Sequence, residues 1–417
     1  MNDNTANGAY GILIAGANYT GMAMALAFAH VFGDEVPITL VDRRDLAATS
    51  LGSGPTPDPR CFALSAATRT LLTKLGVWDR VCRHTQDVRE IVLTDSPLGA
   101  AVRPVLLRYE NLLDRGEAAS VIVPGPVLLD GLRAAASACT SIRIAPPGTI
   151  DAISQDADLV HLTLSDGRQL AGALLIAADG RASRVRELAG IKTTGCRYGQ
   201  TGIVTTIRHA APHHGCAVQH FLPGGPFALL PLAGGHHACI TWSEDVDEAA
   251  RILALDEAGF LGEIQRRAGG RHGEITLSGT RASFPLSTQI ARQFIGPRLA
   301  LVGDAAHGVH PIAGQGLNLA MRDVAALAQR ISEARFVGLD IGDPTALEAF
   351  ARWRRFDSTL SAGVFDGINR LFSRDGSLLR SLREAGLGAV DRLPGLKRQL
   401  VREAAGLSGD VPDLMRG

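Results

Sequence analysis

The sequence has no excess of either charge: 42 Lys and Arg balance 42 Asp and Glu over 417 residues. No overall field favours nucleic acid or an acidic membrane, so a nucleic-acid partner has no support and none is expected. There is no C-x-x-C pair. The six cysteines, Cys61, Cys82, Cys139, Cys196, Cys216 and Cys239, are spread along the chain and read as reduced thiols of a cytoplasmic protein. Internal repeats and low-complexity tracts are lacking. One stretch, Gly11 to Phe32, is apolar enough to mimic a membrane span or signal peptide, but Asp3 rather than a basic cluster precedes it, and its glycines fall where a turn needs them. His213-His214, His236-His237, His307 and His310 have no acid or cysteine pattern to complete a metal site. No metal is expected.

What is present is enough apolar sequence, 46%, for a substantial core, and three strand-turn-helix signatures. Gly11 to Ala15 reads as a strand leading into Gly16-Ala17-Asn18-Tyr19-Thr20-Gly21 and an apolar helix. The next run, Pro37 to Val41, ends at Asp42, about 20 residues beyond the glycines, where a dinucleotide-binding unit places its ribose acid. Asn18 stands where the middle glycine of G-x-G-x-x-G is usual, and its Cβ is expected to obstruct close approach to a pyrophosphate. Leu174 to Ala178 reads as a buried strand before Asp179-Gly180-Arg181-Ala182-Ser183-Arg184-Val185-Arg186. There Asp179-Gly180 turns the chain, and Arg186 offers a permanent cation to phosphate. Leu299 to Val302 is a third strand, ending at Gly303-Asp304. A Pro- and Gly-rich loop, His307-Gly308-Val309-His310-Pro311-Ile312-Ala313-Gly314-Gln315-Gly316, then opens a helix with Leu317, Asn318, Ala320, Met321 and Val324. A short acid beside a helix N-terminus suits a ribose or ribityl hydroxyl.

The third segment closely resembles the second FAD-binding motif of the para-hydroxybenzoate-hydroxylase-like flavoprotein monooxygenases, and its wording is most similar to the ubiquinone-biosynthesis hydroxylases. The middle one resembles the D-G-x-x-S-x-x-R motif of the same family. The resemblance implies an α/β fold with an inserted α+β lobe: a Rossmann-like FAD-binding domain, an interleaved antiparallel-sheet substrate domain and C-terminal helices. The expected boundaries are 8–86, 111–190 and 286–336 for FAD, 87–110 and 191–285 for substrate, and 337–417 for the helices. It implies FAD contacts from Gly16, Asn18, Gly21, Asp42, Arg60, Asp179, Gly180, Arg186, Gly303, Asp304, Gly314, Gly316, Leu317 and Asn318. Pro311, Gly314, Gln315 and His220 would serve catalysis. His220 lies in Gln219 to Leu232, a stretch that resembles the sheet capping the flavin ring. Relatives carry an Asn-Arg pair before the helix of Val127 to Ala138, where this chain has Pro124-Gly125-Pro126, so one cofactor cation is expected to be missing.

By this resemblance, non-covalent FAD reduced by NADH or NADPH captures O₂ as a C4a-hydroperoxide and hydroxylates the aromatic ring of a polyprenylated phenol in ubiquinone biosynthesis. No second glycine fingerprint serves the nicotinamide cofactor. A catabolic hydroxylase of a small soluble phenol is one alternative; a non-catalytic FAD-fold subunit, motivated by Asn18 and Pro126, is another. From Arg370 to Arg402, eight cations interleave with leucines against three acids. Residues 376–402 therefore read either as a packed helix or as a peripheral contact with the inner membrane or a quinone-biosynthesis complex. A homo-oligomer is a further partner expectation.

Overall fold

The computed structural model describes residues 10–45, 58–98, 103–309, 314–355, 357 and 394–417. A six-stranded sheet carries the dinucleotide unit, in the spatial order Ile295–Gly296, Leu299–Leu301, Leu174–Ala177, Ile12–Ala15, Ile38–Val41, Ile142–Ile144. Its strands are parallel except for the short antiparallel one at Ile295–Gly296. The central strands, ILIA, ITLV and LLIA, are buried throughout, as continuous apolar runs in a sheet covered on both faces should be. The helices Tyr19–Phe32 and Gly316–Phe336 pack together on one side of it, burying Met22, Phe28, Met321 and Val324.

The second lobe is built on a nine-stranded sheet. Strands 90–95 and 105–110 join it through Cys216–Leu222, so the inserted segment and the 193–291 region share one hydrogen-bonded surface. Strand Ala282–Ala291 pairs with Thr193–His209 along its length and accepts His307–Gly308 beyond it. Strand pairing therefore carries this sheet past residue 285, into sequence read as cofactor domain, because a strand has no reason to end while its ladder continues. One face of the sheet packs Phe227, Trp242, Ile240 and Val218 against the helices Val246–Leu253 and Glu257–Ala268. The other face turns toward 58–63: the Cys239 thiol, on that face, lies 3.7 Å from the Pro59 carbonyl. Cys61 reaches the same carbonyl, so two of the six cysteines read as separate in sequence are neighbours in space.

At the C-terminal end, helix Pro394–Ala404 buries Val401, with Ala405 just beyond it, against Ala66 and Ala119, and leaves Leu400 exposed. Residues 376–393, the larger part of the basic amphipathic segment, lie outside the described residues. Among the described residues no helix is long and apolar enough to cross a membrane.

Candidate active site

All three signatures leave the parallel sheet at the same edge. Ala15 stands in register with Ala177, and Ala177 with Leu301, so Gly16, Ala178 and Val302 emerge side by side. Backbone bonds knit them: Gly16 N–H donates to Val41, Ala178 N–H to Ala15, and Val302 N–H to Ala177. Ligands of open α/β sheets bind outside this carboxyl end.

The first loop needs its outer glycines for packing. Gly16 has φ +96°, and a Cβ there would lie 2.5 Å from the Ala178 carbonyl oxygen; at Gly21 it would lie 1.8 Å from that of Gly16. The middle position is extended rather than left-handed. Asn18 has φ −100° and caps the helix, its side-chain oxygen accepting from Tyr19 N–H at 3.0 Å, so it carries no left-handed strain. Asp42 accepts from Ala17 N–H at 2.8 Å and from the Arg44 backbone and guanidinium. Burial raises its pKa, but the Arg44 fork and the two backbone bonds outweigh this and hold the carboxyl below its ordinary value.

Pro124-Gly125-Pro126 also has a local explanation. A Cβ at Gly125 would come 2.8 Å from the Tyr19 hydroxyl and 2.9 Å from the Arg60 carbonyl. The Tyr19 phenol, stacked edge-on against Phe62, occupies the volume that any larger side chain at 125 would take. The helix, expected over 127–138, starts at Gly125 and runs to Ser137.

In the middle motif Asp179 accepts from Val185 N–H at 3.1 Å, while its other oxygen is buried with no partner among the described residues. Gly180 is left-handed, and open space surrounds its would-be Cβ. Arg186 is diverted from the phosphate role expected of it. It is buried, and it donates to the carbonyls of Ala305 (2.8 Å) and Arg181 (2.9 Å), tying the second motif to the third. The cation nearest the Asp304 carboxylate in this motif is Arg181, 3.8 Å away; it also donates to Ser287 and Val309. Sequence reasoning passed over Arg181, although it directly follows the Asp-Gly turn.

In the third motif Gly303 is left-handed at φ +58° and Asp304 is half exposed. Arg60, held by Asp58 and set over the Phe62 ring, senses the Asp304 charge across the site. Gly314 is left-handed, and the helix beginning at Gly316 has no side-chain cap from Gln315, which leaves N–H groups of its first turn directed outward. Asn318, expected at the cofactor, is instead a tie within the protein. Its oxygen accepts from Ser65 N–H and the Thr68 hydroxyl, and its amide donates to Ala63 and to the Gln315 side chain. Those four bonds exhaust its capacity. The Leu317 side chain packs against the core, leaving only its backbone for a ligand. His310 and Pro311 lie outside the described residues.

His220 lies on the helix-packed face of its strand, opposite the face of Cys239. It pairs with Phe227 and stacks on that ring, toward helix Glu257–Ala268; its Nδ1 bonds the Thr94 hydroxyl. Burial, then Arg103 and His272, push its pKa down to about 4. By register, the residues sharing Cys239's face are Gln219, Ala228, Leu230 and Thr241. One position decides the face of a strand. His213 is bound to the Leu232 carbonyl, and among the described residues no cluster of His, Cys, Asp or Glu could hold a metal.

These features fit a dinucleotide. Close glycine contacts join the motif loops, Gly180 leaves open space, Asp179 keeps an unused oxygen, Asp304 is reachable and a long helix opens uncapped.

Residues 10–335 match the family model described as an FAD binding domain. The chain belongs to this family. Ubiquinone hydroxylase UbiL of Rhodospirillum rubrum is 38% identical over 97% of this chain and 92% of its own length. The 3-demethoxyubiquinol 3-hydroxylase of Escherichia coli is 32% identical over 95% and 98%. Among solved structures, p-nitrophenol 4-monooxygenase PnpA of Pseudomonas putida superposes with a TM-score of 0.77 over 96% of this family member and 98% of that chain, at 17% identity. The α/β monooxygenase fold is thereby shared.

Proposed function

We propose that this protein is an FAD-dependent monooxygenase that uses NAD(P)H and O₂ to hydroxylate the ring of a polyprenylated phenol in ubiquinone biosynthesis. The observation carrying this reading is the convergence of Gly16, Asp179 and Asp304 at one sheet edge in a chain 38% identical to a ubiquinone hydroxylase. Residues 10–86, 111–190 and 292–336 hold FAD in this reading, with 87–110 and 191–291 over the substrate and the helices over 344–355 and 394–404 packed beside them. Asp42 receives a ribose hydroxyl in place of the exposed Arg44 guanidinium, which otherwise fills two of its four acceptor sites; the Gly16 loop amides receive a phosphate, and Asp304 a ribityl hydroxyl. FAD, when bound and reduced, supplies the activation of oxygen.

The chain's own groups bind, orient and exclude water. Outward N–H groups from Gly316 onward favour negative charge beside them. Arg60 and Arg181 frame the Asp304 carboxylate. Leu230, Ala228 and Thr241 give a mainly apolar ceiling that suits a phenol with a hydrocarbon tail and keeps water from the reacting ring.

The test is NAD(P)H oxidation by FAD-loaded protein. Acceleration by a prenylated phenol, with formation of the hydroxylated product, is expected. Acceleration only by small soluble phenols would replace this reading with the catabolic one. Absence of FAD binding even after reconstitution would replace it with a non-catalytic subunit, although Asn18, which helped motivate that alternative, is unstrained, and Gly125, beside Pro126, sits in a well-filled position. Delivery of such a substrate from a lipid surface through 376–402 belongs to the same proposal. Arg398 and Leu400 are among its exposed described residues, and Arg398→Glu/Leu400→Glu is expected to abolish co-sedimentation with anionic vesicles. Unchanged sedimentation rejects that contact.

A further inference from the structure

A fully buried carboxylate lies beneath the third motif, and none of the readings above uses it. Asp323, on helix Gly316–Phe336, has no solvent exposure. One oxygen accepts from Gly303 N–H at 2.8 Å and from His307 Nε2 at 2.6 Å; the other accepts from Arg354 Nε at 2.7 Å. Arg354, equally buried, comes from a helix over 344–355 and also donates to Asp357 at 2.7 Å.

We propose that Asp323 is the positioning residue of the cofactor turn. Its carboxylate, charge-balanced by Arg354, holds both ends of the 303–307 turn and so presents Asp304 to the cofactor. This rests on the placement of FAD at Asp304 given above.

The distribution of bonds carries the argument. A charge pair that served only to dock helix 344–355 would need Arg354 and nothing else. Here two of the three bonds to Asp323 go to the turn, at residues flanking Asp304. The Gly303 backbone is left-handed, and its neighbours are close: a Cβ there would lie 3.1 Å from Ala320 and Thr20 side-chain atoms. Its buried N–H would lose its acceptor if the carboxylate were absent. His307 is also paired in register with Ile290 of the substrate sheet, so the same carboxylate fixes where the two lobes meet. A buried ion pair is a poor source of stability compared with apolar side chains of similar volume. Its value at this place is geometric.

The test separates geometry from folding. In Asp323→Leu/Arg354→Leu both charges are gone, and the apo protein is expected to melt within a few degrees of wild type. FAD affinity, read by fluorescence quenching on titration, is expected to fall about tenfold or more. Asp323→Asn/Arg354→Met keeps an acceptor for Gly303 and is expected to recover most of that affinity. Wild-type FAD affinity in the Leu pair overturns the proposal; so does an Asn/Met pair as weak as the Leu pair. Should the Leu pair fail to fold, amide exchange of Gly303 in the apo wild-type chain decides: exchange as slow as in strand Leu174–Ala177 supports the proposal, and exchange at loop rates refutes it. Asp304→Ala is the control for the underlying reading. If it leaves FAD affinity unchanged, the cofactor placement has failed, whatever Asp323 does.

Discussion

Replacing His220 by leucine distinguishes a side chain that faces the substrate from one that faces the helix behind the sheet. In the fold described here the imidazole is buried against Phe227 and the end of helix Glu257–Ala268, with its pKa pushed down to about 4. In the unfolded chain it titrates near ~6.5. The folded state therefore keeps the ring neutral through a window in which the unfolded state takes up a proton. Stability from this group is complete above pH ~6.5 and is lost as pH falls toward 4. The shift of about 2.5 units corresponds to roughly 3 kcal/mol, or a slope of about 1.2 kcal/mol per pH unit near pH 5. His220→Leu removes that slope. It also leaves the Thr94 hydroxyl, buried and bonded to the ring, without its partner, a pH-independent cost of about 1–3 kcal/mol. Urea unfolding should accordingly show the variant less stable than wild type at pH 7.5 and the gap closing or reversing by pH 5. FAD binding and turnover at pH 7.5 should survive. A difference between the two proteins that is constant across pH would refute the buried, neutral imidazole, and loss of turnover with intact FAD binding would return His220 to catalysis.

Gly16→Val should abolish FAD binding, because a Cβ meets the Ala178 carbonyl oxygen at 2.5 Å from a left-handed backbone; retained flavin absorbance on purification would contradict this. Asp304→Ala, at a half-exposed side chain, should weaken FAD about 10- to 100-fold, as for a lost bond to a charged group, with the apo melting temperature unchanged. Arg186→Leu strips the Ala305 carbonyl of its guanidinium donor and leaves the Arg181 carbonyl with only Gln289, and should lower apo stability by about 1–3 kcal/mol in urea unfolding. Leu230→Arg, on the face opposite the helices, should leave FAD affinity intact while removing acceleration of NAD(P)H oxidation by a prenylated phenol; unchanged acceleration would place the substrate elsewhere.

The features legible in the chain were those written in neighbouring residues. Strand runs, the Gly16 turn with its following helix, Asp42 at the end of the next strand, Asp179-Gly180 and Gly303-Asp304 are local patterns, set by turn chemistry and side-chain periodicity. Together they specified a parallel sheet with its loops at one edge and a separate antiparallel lobe. Tertiary structure decided how each polar group spent its bonds. Asn318 was claimed by Ser65 and Thr68, some 250 positions earlier, and Arg186 by a carbonyl 119 residues away. His220 went to the helix side because strand register, which its own sequence does not contain, fixes the parity. Asp323 and Arg354 are far apart in sequence and meet only when two helices pack. Local chemistry chose the turns; hydrogen-bond capacity, finite and filled by whatever folding brings near, chose which side chains remained for the cofactor.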